Sequence, residues 1–250
     1  MATRRPPDPA PPDRPAADRL FDGGGEMGAL MRAHDWSTSP LGAPGDWPQS
    51  LRSALSICLG SAFPIALYWG PELALVYNDA WSPIPGGKHP WALGRPAREV
   101  WPEIWETIGP LFAQVMATGE ATRSQDQLLA MRRHGYVEEC YFDYTFSPVR
   151  GEGGRIGGIF NAVLETTDRV IGERRLRTVR ELPGRAAEAR TPEEACFAAA
   201  ATLAAAPGDL PFALLYLADE DGLRLEATAG LGGAEVPAPA RASLAGDAAD

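Results

Sequence analysis

The sequence predicts an α+β fold: a five-stranded antiparallel sheet with a helical insert, then a helical linker and a partial α/β unit. Three observations lead there. First, Cys140, Phe142, Tyr144 and Phe146 alternate with Tyr141, Asp143, Thr145 and Ser147, the period of two of a strand with one aromatic face. Second, the elements run strand, strand, helices, strand, strand, strand, an order that short connections turn into an antiparallel sheet wrapped on one side by short helices. Third, 250 residues, 45% of them hydrophobic, suffice for one large or two small domains with a buried core.

Taken in order, residues 1–22 form a tail rich in Pro, Ala and Asp, a composition that cannot offset its ordering entropy and is expected to be disordered. Residues 23–62 read as a helical extension. Met27, Leu30 and Met31 open it, and Leu51, Ala54, Leu55, Cys58 and Leu59 follow at the spacing of one helix face. Pro48 stands at the expected first helical position, with Gly45 or Asp46 as candidate cap, and Gly60-Ser61 ends the helix. Residues 63–166 hold the sheet. Ile65 to Trp69 and Leu73 to Tyr77 flank the turn Gly70-Pro71-Glu72. Helical segments are expected over 96–103 and 104–118, the second with Ile108, Leu111, Phe112, Val115 and Met116 in step and Gly119 as its stop. Strands at 125–131, 136–149 and 156–164 complete the sheet, turning at Arg133-His134-Gly135 and Gly151 to Gly154.

Residues 167–190 are a charged linker helix that Pro183-Gly184 is expected to interrupt, because a proline removes a helical hydrogen bond. A second helix starts at Thr191-Pro192-Glu193-Glu194, a capping box with proline at the first helical position. Two strands follow, Phe212 to Ala218 and one carrying Leu223, Leu225 and Ala227; the remainder of 191–250 shows no clear element.

Composition excludes several functions. Lys and Arg number 23 against 33 Asp and Glu, a net charge of −10 that disfavours nucleic acid as a partner, since each bound phosphate needs a neutralising cation. Cys58, Cys140 and Cys196 are odd in number and far apart, which fits a reducing compartment rather than a disulfide framework. No apolar leader is visible, and glycines and a proline interrupt the apolar run from Ala54 to Trp69, so no membrane segment and a cytoplasmic location are expected.

Residues 63–169 resemble a PAS domain. The resemblance is carried by the paired strands around Tyr68 and Tyr77, by Tyr77-Asn78-Asp79-Ala80-Trp81, by Leu93-Gly94-Arg95, and by Glu165-Thr166-Thr167-Asp168-Arg169 where the last strand hands over to a helix. The flanking Gly25-Glu26-Met27-Gly28-Ala29-Leu30-Met31, Trp36-Ser37 and Asp46-Trp47-Pro48 are similar to the extension of a bacterial subgroup in which a GAF domain follows. Residues 191–250 look like the start of that GAF domain, which is expected to be incomplete here.

The resemblance implies the sensory input region of a cytoplasmic signal-transduction protein, the N-terminal part of a sensor histidine kinase, with no catalytic centre in these residues. Alternatives are a PAS/GAF-regulated protein phosphatase, a cyclic-dinucleotide enzyme or a stand-alone ligand-binding module. It also implies a homodimer through the PAS domain and the linker, where Leu176, Val179 and Ala186 keep a seam spacing. Gly94-Arg95-Pro96-Ala97-Arg98 lacks the cysteine of a flavin adduct and residues 104–118 lack a histidine for haem, so both cofactors are disfavoured.

Other chemistry finds little support. His34, His89 and His134 read as solvated loop residues, no glycine cluster forms a phosphate loop, no metal-ligand spacing occurs, and Glu138-Glu139 reads as a solvated edge. Trp81, Trp101, Trp105, Phe142, Tyr144, Phe160 and Asn161 are the candidate wall of a small-molecule pocket, or else plain core. Asn78 is expected to cap a helix after the second strand. Asn78, Glu165, Thr166, Thr167 and Asp168 are the candidates for signal transfer, the last three as a cap that shifts with the sheet or as a cap alone.

Overall fold

Apolar residues at every position of 65–69 leave no solvent face, and strand β1 (Ile65–Trp69) is buried along its whole length. The computed structural model describes residues 19–231 and 239–242 and divides the chain into two compact units, 1–167 and 168–250. In the first unit β1 pairs with β2 (Ala74–Tyr77) and with β5 (Ile156–Glu165), and β4 (Glu138–Arg150) lies between β5 and β3 (Thr122–Met131). The order is β2-β1-β5-β4-β3, antiparallel throughout.

Register sorts the side chains. Tyr68 lies opposite Ile159, Phe146 opposite Asn161 and Tyr144 opposite Val163, which places all six on one face. The helical insert, α3 (Ala97–Val100) and α4 (Trp105–Thr118), covers that face, with the Phe112 ring 4.7 Å from Tyr68. Helix α4 ends as expected: Gly119 takes a left-handed φ of 70° and donates to Val115 O.

The second face is covered as well. Leu67 pairs with Phe160 and Ile65 with Ala162 on that side, and helix α2 of the N-terminal extension (Gln49–Leu59) packs on β1 and β5. Its buried residues are the expected stripe of Leu51, Ala54, Leu55, Cys58 and Leu59. The one-sided wrapping expected from sequence is thus corrected, and the reason is β1, whose two apolar faces both need cover. Helix α1 (Gly25–Ala33) adds Met27 and Met31 to the same core. Residues 1–18 of the expected disordered tail lie outside the described residues; Phe21, assigned to that tail by composition, is buried against Trp36 and Trp47.

Both helices of the extension begin without a local side-chain cap. Their free N–H groups are met from the sheet side of the unit instead. Asp79 accepts from Glu26 N at 3.0 Å and from Met27 N at 2.6 Å. Glu152, in the turn before β5, accepts from Ser50 N at 2.8 Å and from Ser50 Oγ at 3.1 Å. No helix follows β2: residues 79–96 hold turns and a short 3-10 segment, Gly86–Lys88. The helix-cap role expected for Asn78 is corrected accordingly. Its Oδ1 accepts from Trp81 N and from Ile65 N, both at 3.1 Å, while Nδ2 faces the carbonyls of Cys58, Ser61 and Phe63 at 2.8–3.0 Å.

In the second unit helix α5 (Thr167–Ala187) runs through Pro183 without a break, correcting the expected interruption. Proline imposes a helical φ and removes one hydrogen bond, to Val179 O, and Val179 is exposed so that water reaches that carbonyl. Helix α6 (Pro192–Ala204) starts at the expected box: Glu194 N donates to Thr191 Oγ1 at 3.1 Å, and Arg190 N donates to Glu194 Oε2 at 2.7 Å. Strands β6 (Ala213–Asp219) and β7 (Gly222–Ala229) form the expected hairpin. A two-residue strand, β8 (Arg241–Ala242), pairs with β7 where sequence showed no element; residues 232–238 and 243–250 lie outside the described residues.

Two glycines test the borrowed cap on α1. Gly23 has φ 78° and open space around a Cβ, whereas Gly25 has φ 59° and its Cβ would collide with the Asp79 carboxylate. Gly23→Ala is expected to cost the left-handed penalty of about 1–2 kcal/mol. Gly25→Ala should cost about 0.5–2 kcal/mol more, because Asp79 must leave the helix N-terminus. Urea denaturation of the two variants measures the gap, and equal losses would remove the cap from the account.

Candidate functional site

The inner face of the sheet and the insert enclose a cavity. β4 contributes Phe142, Tyr144 and Phe146, β5 contributes Asn161 and Val163, and β1 contributes Tyr68; Trp81, Trp101, Ile104 and Ile108 close it from the insert side. Five of the seven residues proposed from sequence therefore meet here: Trp81, Trp101, Phe142, Tyr144 and Asn161. Trp105 sits at the start of α4 and packs on Phe112 at 5.9 Å, outside the wall. Phe160 points to the opposite face, as strand alternation requires of a neighbour of Asn161.

The rings nearly fill the space. Trp81 and Trp101 meet edge to face at 5.9 Å, and Tyr144 lies 4.9 Å from Phe146. The void left is about 40 Å³, enough for a water-sized molecule and far below the roughly 300 Å³ at which drug-sized pockets begin. Its polar groups are few. Trp101 Nε1 donates to Tyr68 Oη at 3.1 Å, and burial pushes the Tyr68 phenol well above its ordinary pKa, keeping it neutral. Asn161 Nδ2 donates to Thr145 O at 3.1 Å. Trp81 Nε1 is buried without a hydrogen bond and carries the desolvation cost of an unpaired polar group, while the Tyr144 hydroxyl meets Ser124 outside good hydrogen-bond geometry.

Lys88 and Glu103 hold one side of this wall. Lys88 Nζ donates to Glu103 Oε1 and to Val100 O, both at 2.6 Å, and stands 4.8 Å from the Trp101 ring centroid. Arg132 N donates to the same Glu103 oxygen at 3.1 Å. Desolvation pushes the Glu103 carboxyl up, but these hydrogen bonds and the Lys88 charge outweigh it, so its pKa lies below the ordinary glutamate value. Next to it, His89 is not the solvated residue expected from sequence: its Nδ1 lies 2.9 Å from the hydroxyl of buried Tyr77.

A second cluster surrounds the exit from β5. Glu165 takes a bidentate pair from Arg133, at 2.9 and 3.1 Å. Thr166 Oγ1 donates to Asp126 Oδ1 at 2.8 Å, and Thr166 N donates to Tyr141 O at 2.8 Å. Thr167 Oγ1 accepts from Tyr141 N at 3.0 Å and donates to Glu165 Oε1 at 2.9 Å. Asp126 sits in a bulge of β3 with φ 45°, where its N–H donates to Asp143 Oδ1 at 2.8 Å. Arg133 also reaches Glu138, which His134 contacts at 2.8 Å. Burial works against the Arg133 charge, but Glu165 and Glu138 more than offset it and raise its pKa. Asp168 follows in the first turn of α5, where a negative charge suits the helix dipole. Asn78, grouped with these four residues from sequence, belongs to the separate knot at the start of β1.

Sequence reasoning missed Asp126, Arg133, Lys88, Glu103 and Tyr68. The one available signal was Arg133, a cation in a tight turn two strands away from an acidic strand end. Among the described residues, no group of three or more His, Cys, Asp and Glu side chains is placed to hold a metal ion, and no helix is long and apolar enough to cross a membrane.

Residues 74–171 match a family model described as PAS fold, and this stretch is a PAS domain. β1 lies upstream of the matched residues yet pairs with β2 and β5. Similar solved structures include a sensory box sensor histidine kinase from Vibrio cholerae, with 16% identity, 47% of this chain and 87% of that chain covered, and a TM-score of 0.31. A PAS domain from Colwellia psychrerythraea shows 15% identity, 47% and 98% coverage and a TM-score of 0.36. An RNA-binding Light-Oxygen-Voltage receptor shows 23% identity and a TM-score of 0.38, over 48% of this chain and 34% of that one.

The Lys88–Glu103 pair gives a pH dependence. A carboxyl whose pKa is depressed by folding adds stability above its unfolded-state pKa and loses it as pH falls through the folded value. Urea midpoints measured from neutral to acid pH should therefore fall further for the wild type than for Glu103→Gln. Parallel curves would show that the pair contributes nothing.

Proposed function

We propose that the chain is the sensory and regulatory input region of a signal-transduction protein whose output is a histidine kinase. Residues 191–250 are read as the opening of a GAF domain. One observation carries this reading: the start of α5 is tied sideways to the sheet by Arg133, Asp126 and Tyr141. β4 joins the two clusters, because Phe142 and Tyr144 line the cavity while Tyr141 and Asp143 face the junction. A change of packing on the inner face is thereby felt at residues 165–167, a two-state element of the kind a switch requires. The ligand is small, with Trp81 Nε1 and the Tyr144 hydroxyl as the groups that orient it.

The helix that receives the signal works as a dimer seam. No residue of α5 is buried, and Leu176 and Val179 are 47% and 61% exposed. A second copy of the helix covers them at the three-to-four spacing of a coiled coil.

Thr166→Val removes the donor to Asp126 while keeping side-chain volume. In the complete gene product it should change autophosphorylation from labelled ATP several-fold without abolishing folding. An unchanged rate would deny the junction its role, and absence of any phosphohistidine would place the output in another class. Sedimentation at high micromolar concentration should show a dimer that Leu176→Lys with Val179→Lys dissociates; a wild type that stays monomeric would sink the seam.

A further inference from the structure

Helix α5 has no fully buried residue, so apolar packing does little to fix how it is turned about its axis. A carboxylate of the same unit supplies that constraint. Asp209 lies in the turn after α6, where Asp209 N and Leu210 N both donate to Ala206 O, at 3.1 and 2.9 Å. Its side chain is 6% exposed. Arg174 Nε donates to Asp209 Oδ2 at 2.6 Å and Arg174 Nη2 donates to Oδ1 at 3.0 Å, a two-pronged pair. Arg175 Nε donates to the same Oδ1 at 3.0 Å. The Arg174 hydrogen bonds first, then those of Arg175, hold the carboxyl below the ordinary aspartate pKa, so it stays ionised at neutral pH.

Consecutive helical residues project about 100° apart. Arg174 and Arg175 therefore reach the carboxylate from two sides of the helix, and turning α5 either way lengthens one of the two contacts. A single ion pair between long side chains would leave that rotation open. The exposure of α5 follows the same axis. Ile171, Arg174, Thr178 and Leu182, at three-to-four spacing, are half-buried. Leu176 and Val179, two and five residues beyond Arg174, project roughly 160° and 140° away from it, and both are exposed.

We propose that Asp209 is a positioning residue: it fixes the rotation of α5 within the second unit and so turns Leu176 and Val179 outward, toward a second copy of the chain. The clasp stands on its own contacts, whereas the second copy rests on the seam reading given above. Amide hydrogen exchange tests the clasp in the 250-residue chain carrying Leu176→Lys and Val179→Lys, so that no seam contributes. Asp209→Asn should speed exchange over residues 170–182 by about ten-fold or more and leave β6 and β7 unchanged. Asp209→Glu, which keeps the charge, should recover part of the protection. Arg174→Gln with Arg175→Gln should reproduce the loss from the helix side, without altering the turn after α6. Unchanged exchange over 170–182, or an equal loss in β6 and β7 in the arginine variant, would overturn the clasp. Disulfide cross-linking of single cysteines in a Cys196→Ser chain tests the orientation; Cys58 and Cys140 are buried. Dimer yields should be several-fold higher for Leu176→Cys and Val179→Cys than for Arg177→Cys and Thr178→Cys, and Asp209→Asn should level them. A peaked profile that Asp209→Asn leaves in place would overturn the positioning role. Absence of cross-linked dimer at all four sites would instead sink the seam, with the exchange result still deciding the clasp.

Discussion

The side-chain amide of Asn78, 1% exposed, is the contact on which the first unit rests. Between α2 and β1 the chain turns from helix to strand over residues 60–64, and several backbone groups at that turn lie outside any helix or strand ladder. Asn78 supplies the partners: carbonyls of Cys58, Ser61 and Phe63 on its nitrogen, N–H groups of Ile65 and Trp81 on its oxygen. An unpaired buried polar group costs about 1–3 kcal/mol, so an apolar residue here would strand several at once. The same knot sets where β1 begins, and so its register with β2 and β5.

From that register follows the two-sided burial of β1, and with it the place of the extension. α1 and α2 are secured by Asp79 and Glu152, which lie 52 or 53 and 102 residues further along the chain. Helix α6, with its own Thr191 box, needs no such loan. A helix whose N-terminus is satisfied only in the folded unit has little reason to persist outside it. Extension and sheet are therefore expected to unfold together.

On the inner face, rings packed tilted and edge to face leave a void of about 40 Å³. A cavity that tight transmits displacement instead of absorbing it, because close-packed side chains have few alternative rotamers. The nearest route outward is β4. Alternation makes its aromatic residues the floor of the cavity and its intervening residues the partners of the β5 exit. Across from that floor Trp81 Nε1 stays buried without a hydrogen bond, a destabilising feature that a polar visitor would relieve.

Sequence alone determined what depends on near neighbours. The aromatic alternation of β4, the apolar stripe of α2, the glycine stop of α4 and the Thr191 box all appear in the fold because periodicity and caps act within a turn or a pleat. It also brought five of seven candidate rings and polar groups to the cavity, because an aromatic strand face needs cover. Tertiary structure decided the rest. The knot of Asn78, the borrowed caps, the tie of Thr166 to Asp126 and the contact of His89 with Tyr77 join partners whose spacing follows no local period. Phe160 turned away because its facing depends on the register of β5 with β1. Pro183 stayed helical because what it removes lies where water can replace it, and only the folded surface says where water is.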